Sequence, residues 1–210
     1  MKTEAHQQYK NGNFPGVTTV LNVLNKPGLP KWANNLGLKG IDSSKYTDET
    51  AEIGTLAHEL IMCYFNAVKC ETADYSANQI DQAKHSLKLF YQWDEIYRPD
   101  PILVETRLDS MRYHYGGTID LYATLHIANQ TSDQLVDFKT GSGPYPTHFC
   151  QLAAYKNLLI ENGYPCEDAR LLQIPARGKQ QEFYEVQLSK LDKYWELFLH
   201  CLAIYRMKLL

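Results

Sequence analysis

The sequence predicts an α/β (α+β) fold on a mixed sheet, and three observations carry that prediction. Three stretches rich in Val, Ile, Thr and Tyr follow one another closely, Ile102 to Leu108, Gly117 to Leu125 and Gln134 to Lys139. Two stretches with apolar residues at helical spacing precede them. A third helical stretch and a further strand come after, so the central order is helix, three strands, helix, strand, which asks for helices layered on a sheet.

The elements read as follows. Thr18 or Thr19 caps a short helix ending near Asn25, before Lys26-Pro27-Gly28, and a second short helix surrounds Trp32. Thr47 or Asp48 caps a long helix running to about Val68, with Ile53, Leu56, Ala57, Leu60, Ile61, Tyr64 and Phe65 as its apolar stripe. An amphipathic helix from about Asn78 to Tyr97 leads into the three strands, which form an antiparallel meander. After Gly141-Ser142-Gly143-Pro144, Thr147 opens a helix to about Glu161, stopped by Asn162-Gly163. A strand at Ala169 to Ile174, a strand at Glu182 to Leu188 and a helix from Ser189 to about Met207 complete the chain.

At 210 residues without repeats or a low-complexity linker, the chain is expected to form one domain with a sizeable core. Residues 1–46 read as a helical extension, 47–175 as the core, and 176–210 as a closing strand and helix. No run of 18 apolar residues exists and the opening lacks the order of a secretion signal, so a cytoplasmic protein without membrane contact is expected. Five scattered cysteines without a Cys-x-x-Cys pair argue against a disulfide framework or thiolate metal site. The net charge of −3 does not announce a nucleic-acid partner. Its distribution is uneven: residues 1–46 carry +4, while residues 47–105 carry −7, which suits a cation-binding edge or solvated helix faces.

The residues able to do chemistry begin with Gly117-Thr118-Ile119-Asp120 and Val136-Asp137-Phe138-Lys139. Strand alternation puts Asp137 and Lys139 on one face and Phe138 on the other. If His126 to Asp133 is the turn, the paired position numbers sum to about 259, which sets Asp120 opposite Lys139 with Asp137 as its diagonal neighbour. Two carboxylates and an amine so placed suit phosphodiester hydrolysis, in which carboxylate-bound divalent cations supply a nucleophilic water and offset phosphate charge. They equally describe a salt-bridge cluster on a solvated sheet. His58, in Gly54-Thr55-Leu56-Ala57-His58, adds an imidazole from the preceding helix; Glu59 points about 100° away from it. Gln151 and Tyr155, at i and i+4, share one helix face that suits a nucleic-acid strand, or a plain polar patch. Glu105 supports the metal shell or binds nothing.

Taken in order, Gly54-Thr55 with His58, Glu105, Gly117 with Asp120, Asp137 with Lys139, and Gln151 with Tyr155 resemble the RecB-like exonuclease branch of the PD-(D/E)XK nuclease superfamily, over about residues 50 to 160. The opening Pro15-Gly16-Val17-Thr18-Thr19-Val20-Leu21 is similar to the start of stand-alone phage and mitochondrial genome-maintenance exonucleases of that branch. The resemblance implies a restriction-endonuclease-like αβββαβ core. It implies that His58, Asp120, Asp137 and the Phe138 carbonyl hold one or two Mg²⁺ or Mn²⁺ ions. Lys139, with Asp120 and Asp137, would be catalytic, Gln151 and Tyr155 would guide DNA, and Glu105 would support the site. The branch's iron–sulfur cysteines are missing near the C-terminus, so no cluster is expected, and no Gly-x-x-x-x-Gly-Lys-Ser/Thr loop offers an ATP site.

The expected function is a metal-dependent deoxyribonuclease, more an exonuclease on single-stranded or frayed DNA ends than an internal cutter. DNA repair, recombination or phage DNA metabolism is the expected setting, in a bacterial or phage-infected cell, with recombination or replication proteins as further partners. A structure-selective or restriction-like endonuclease, and a non-catalytic DNA-binding accessory protein with the same fold, stay open at this point.

Overall fold

The computed structural model describes residues 14–24, 26–128, 130–141, 143–176 and 180–208. Its elements are α1 (Val17–Leu21), α2 (Gly28–Gly37), α3 (Ser43–Phe65), α4 (Ala77–Tyr97), β1 (Asp100–Ser110), β2 (Tyr115–Ile127), β3 (Gln130–Lys139), α5 (Pro146–Glu161), β4 (Asp168–Gln173), β5 (Tyr184–Leu188) and α6 (Asp192–Met207). The expected helix, three strands, helix and strand are therefore present, and α4 is the amphipathic helix expected between α3 and the strands, over Asn78 to Tyr97. Among the described residues no helix is long and apolar enough to cross a membrane, and all five cysteines are free thiols.

The sheet runs β1-β2-β3-β4-β5. Strands β1, β2 and β3 are antiparallel neighbours, β3 and β4 are parallel, and β4 and β5 antiparallel, so the sheet is mixed and the fold α+β. Helix α5 is the crossover that a parallel β3–β4 pair requires. Val17, Val20, Tyr115, Ile119, Tyr122, Leu135, Leu158 and Phe198 belong to the core shared with α1, α5 and α6. Ile61, Phe90, Trp93, Leu121, Ala123, Val136 and Phe138 belong to a second core, shared with α3 and α4.

Helix boundaries differ from the sequence reading where a better cap exists. Helix α3 opens five to six residues early, because Asp42 accepts the backbone N–H groups of Ser44 at 2.8 Å and Lys45 at 3.1 Å. It ends at Phe65 rather than Val68, since Ala67 turns to φ 51°. Ser76 and Gln79 form a capping box that starts α4. The helix around Trp32 is present as α2, with no buried residue. Helix α1 stops at Leu21, and Asn25, its expected end, lies outside the described residues.

The segment before α1 is tied down by backbone. Pro15 O accepts the Gly116 N–H at 2.9 Å, and Gly16 bridges Gly116. A Cβ on Gly116 would lie 2.0 Å from Asp109 Oδ1 and 2.7 Å from Arg107 Nη2, so this glycine leaves room for the Arg107–Asp109 ion pair of the neighbouring strand. Val17 and Val20 are then fully buried, and each stabilises by about 1.5–3 kcal/mol.

Two departures inside the sheet decide the site. The β2–β3 turn is far tighter than His126 to Asp133: Ile127 pairs with Gln130, with Ala128 at φ 55°, the left-handed backbone a two-residue hairpin uses. Leu121 consequently pairs with Val136. Asp120 comes level with Asp137 and not with Lys139, which corrects the register expected from the longer turn. The second departure is a slip of the pleat. Ile119 and Tyr122 pack in the α5–α6 core, whereas Leu121 packs in the α3–α4 core, so alternation inverts at Asp120. In β1 the inversion recurs at Glu105, since Leu108 and Leu103 face the first core and Val104 the second. Val104 still pairs with Leu121 and Thr106 with Ile119, so both strands slip together without losing register.

Candidate metal centre

Helix α3 reaches the sheet through a glycine. A Cβ on Gly54 would lie 2.9 Å from Thr140 Oγ1, so its absence lets the helix lie close against the end of β3. One turn later the same face presents His58. Its ring meets Phe138 edge-on at 5.8 Å, and its Nδ1 lies 3.3 Å from Glu105 Oε1 and 3.6 Å from Asp120 Oδ1. Beyond the Leu121–Val136 rung β2 and β3 part, and Asp120 Oδ2 accepts the Phe138 N–H at 2.7 Å in place of a backbone carbonyl. One carboxylate oxygen is thereby fixed by backbone and the other faces His58.

Ligand atoms of His58, Glu105 and Asp120 all lie within 4.8 Å of one another. Glu105, the weakest of the sequence-read candidates, thus stands in the centre of the cluster. What brings it there is the pleat slip: Glu105 has φ 44° in mid-strand, a left-handed backbone that costs a non-glycine residue about 1–3 kcal/mol. Strict alternation gives no hint of this.

Asp137 and Lys139 form the other half. Lys139 Nζ lies 2.5 Å from Asp137 Oδ2 and 3.3 Å from the Phe138 carbonyl. The Asp137 side chain is fully buried, and its Oδ1 has no hydrogen-bond partner among the described residues. Burial pushes its pKa up to about 6, Asp120 adding to the effect while Lys139 and His58 oppose it. Asp120 behaves oppositely: burial raises it, but the charges and hydrogen bonds of His58, Lys139 and the Phe138 N–H outweigh burial and hold it below the usual carboxylate range. Burial works against protonation of His58, yet Asp120 and Glu105 raise it to about 10. Lys139 is likewise raised, Asp137 and Asp120 overcoming its burial. His148, in the first turn of α5, is pushed down to about 4 by burial and by the positive charges of Lys139 and Lys26.

Gln151 and Tyr155 are joined directly, the Gln151 amide donating to the Tyr155 hydroxyl at 2.9 Å. Tyr155 is 3% exposed, and a Cβ on Gly117 would lie 2.5 Å from its ring. The motif glycine therefore exists to admit this ring against β2. So buried a ring offers no open face, and what Tyr155 presents to Gln151 is its hydroxyl. Glu59 points away from the cluster, accepting from the Tyr75 hydroxyl at 3.3 Å.

The donor set fits a hard divalent cation: an imidazole, carboxylates from two strands and a buried carboxylate oxygen left without a hydrogen bond. No family model and no curated protein matches the chain. Among solved structures it is similar to an alkaline exonuclease from Laribacter hongkongensis, LHK-Exo, at 10% identity and TM-score 0.45, over 76% of this chain and 84% of that one. The complex of LHK-Exo with dAMP matches at the same identity and TM-score, over 77% and 85%. SSO0001 matches at 15% identity and TM-score 0.35, over 62% of each chain. The fold and site described above stand on the chain's own geometry.

Proposed function

We propose that the chain is a metal-dependent DNA nuclease, an exonuclease acting on single-stranded or frayed ends. The observation that carries this reading is the His58, Glu105 and Asp120 cluster beside the buried Asp137–Lys139 pair. In this reading His58, Glu105, Asp120 and Asp137 hold Mg²⁺ or Mn²⁺, which supplies an activated water and charge compensation on the phosphate. Asp120 is positioned by the Phe138 N–H, so its free oxygen keeps a fixed direction. Lys139 stays protonated beside Asp137 and offers a positive charge to the phosphate oxygens as negative charge builds on them. The Phe138 carbonyl, which accepts from Lys139, completes the groups turned toward this point. Gln151, held by Tyr155, donates to the DNA backbone from α5.

The test uses labelled single- and double-stranded DNA with Mg²⁺, Mn²⁺ or chelator, alongside Asp120→Ala and Lys139→Ala. Metal-dependent release of nucleotides, abolished in both variants, is expected. Cleavage undiminished in the variants would refute the assigned site. Covalently closed single-stranded circles should survive; their degradation would convert the reading to an endonuclease. Tight DNA binding without cleavage under any divalent metal would leave a non-catalytic binding protein.

A further inference from the structure

A cavity of about 560 Å³ opens between the start of α3, the first half of α4 and the segment leaving β4, with Ala176 at its floor. It lies at the same end of the sheet as the metal cluster. The Ile174 N–H donates to the Lys139 carbonyl at 2.9 Å and the Ala176 N–H to the Thr140 carbonyl at 3.1 Å, so the floor hangs directly on the residues that end β3. Parallel strands β3 and β4 both finish here, where open sheets present their ligand crevices. Along α3, Glu49 in the cavity wall and His58 in the cluster are about 14 Å apart at ~1.5 Å of rise per residue.

The lining chemistry is specific. Among the described residues, Tyr46, Glu49, Asn78, Asp81, Gln82 and His85 form the walls, two carboxylates and two amides with no lysine or arginine. Asn78 donates to Glu49 at 3.3 Å and Gln82 donates to Asn78 at 3.1 Å, so these groups are held as a row rather than waving in solvent. Trp32 braces the Tyr46 ring edge-on at 5.9 Å. His85 is engaged by the Gln180 carbonyl at 3.0 Å. Two carboxylates repel a phosphate, and among the described residues the cavity holds no trio of ligand atoms close enough for a metal. What suits it is a flat, uncharged group that donates hydrogen bonds from its edge and stacks on an aromatic ring.

We propose that this cavity is a subsite for a nucleobase carrying an exocyclic amine: adenine, cytosine or guanine in preference to thymine. Glu49 and Asp81 accept from the amine, Asn78 and Gln82 read the rest of the base edge, and Tyr46 supplies the stacking face. The proposal rests on the nuclease reading for why a strand passes here, since it places a base to one side of the phosphate held at the metal cluster.

Its test separates the two readings. The full chain is titrated in chelator with deoxyadenosine, deoxycytidine, deoxyguanosine and thymidine while side-chain amide resonances are followed by NMR. The expected result is movement of the Asn78 and Gln82 amides with the three amine-bearing nucleosides, and about tenfold weaker binding of thymidine, the discrimination one well-made base-edge pair provides. Glu49→Ala with Gln82→Ala should weaken the three nucleosides to the level of thymidine, at unchanged Tm. Equal binding of thymidine, shifts confined to other surfaces, or no binding would overturn the subsite even if DNA is cleaved. Nucleoside binding at these residues in a chain that cleaves nothing would uphold the subsite and sink the nuclease.

Discussion

Two buried charged groups sit on neighbouring strands of this sheet and are treated in opposite ways. Arg170 on β4 pairs in register with Val136, one rung from Asp137 and Leu171. Its Nε donates to Gln134 at 2.7 Å, its Nη1 to Glu185 at 2.9 Å and its Nη2 to Gln187 at 3.1 Å, and its guanidinium lies 4.5 Å from the Tyr97 ring centroid. Every nitrogen of the fork is engaged. Asp137 is buried at least as deeply but has Lys139 beside one oxygen and no hydrogen bond on the other among the described residues. Folding tolerates a buried charge when its bonds are complete, and an incomplete one is what a cation-binding site looks like before it is filled. The Arg170 network pins the sheet edge; the Asp137 cluster, in the proposed reading, is completed by a cation.

The sharpest way to break this contrast is at the two centres themselves. Lys139→Ala should lower cleavage by about 10²–10³-fold, the range for removing one oriented charge or donor from a transition state, with the smaller effect on the urea midpoint, because Asp137, already raised to about 6, takes up a proton when its partner is gone. Arg170→Leu should do the reverse. It should cost about 3–5 kcal/mol, because it takes the cation from Glu185 and the donor from buried Gln134, and urea unfolding measures it. A variant in which Lys139 governs stability and Arg170 governs cleavage would erase the distinction.

Next in size is the effect of the ion. Mn²⁺ at about 100 times its dissociation constant should stabilise the chain by about 2.7 kcal/mol. Raised Tm in Mn²⁺, restored to baseline by chelator and absent in Asp120→Asn, is the expected pattern, and no shift in the wild type would count against the cluster.

A smaller effect tests the close approach behind the site. Gly117→Ala drives a Cβ into the Tyr155 ring and should cost about 1–3 kcal/mol as overpacking. Shortening the ring, in Gly117→Ala with Tyr155→Leu, should return part of that loss in the same denaturation assay.

The least direct is a pH effect at the partly exposed His148, which is depressed from 6.5 to about 4. Between those values the unfolded chain takes up a proton that the folded chain refuses, so this group's contribution to stability is complete above pH 6.5 and is lost as pH falls through the window. The neutral ring accepts the Tyr145 N–H at 3.3 Å, a bond that protonation of that nitrogen removes. The wild type minus His148→Gln difference in stability should therefore decline from pH 7 toward pH 4; a flat difference would show that His148 titrates normally.

The sequence carried the order of elements because apolar periodicity and strand composition are local signals, and these survive in α3, α4, β1, β2 and β3. It also named the residues of both halves of the cluster. The distances between them were less legible. Ala128 carries no turn signature, so the hairpin appeared longer than it is and Asp120 was set against Lys139 instead of Asp137. Glu105 was underweighted because strand alternation assumes an unbroken pleat, while here β1 and β2 invert side by side. Tyr155 looked like a surface group on an i, i+4 face; only the approach of Gly117 shows that its ring is buried. Composition gave no sign of the cavity near Ala176, which needs three distant segments to exist.

The inversion at Glu105 and Asp120 has a further consequence for how the chain tolerates change. Residues on either side of it are committed to one hydrophobic cluster or the other, but the two at the crossing belong to neither. Their side chains can be exchanged without opening a hole in packed apolar material, so Asp120→Asn and Glu105→Gln should empty the cluster of ligand charge while both cores, and with them the fold, stay intact.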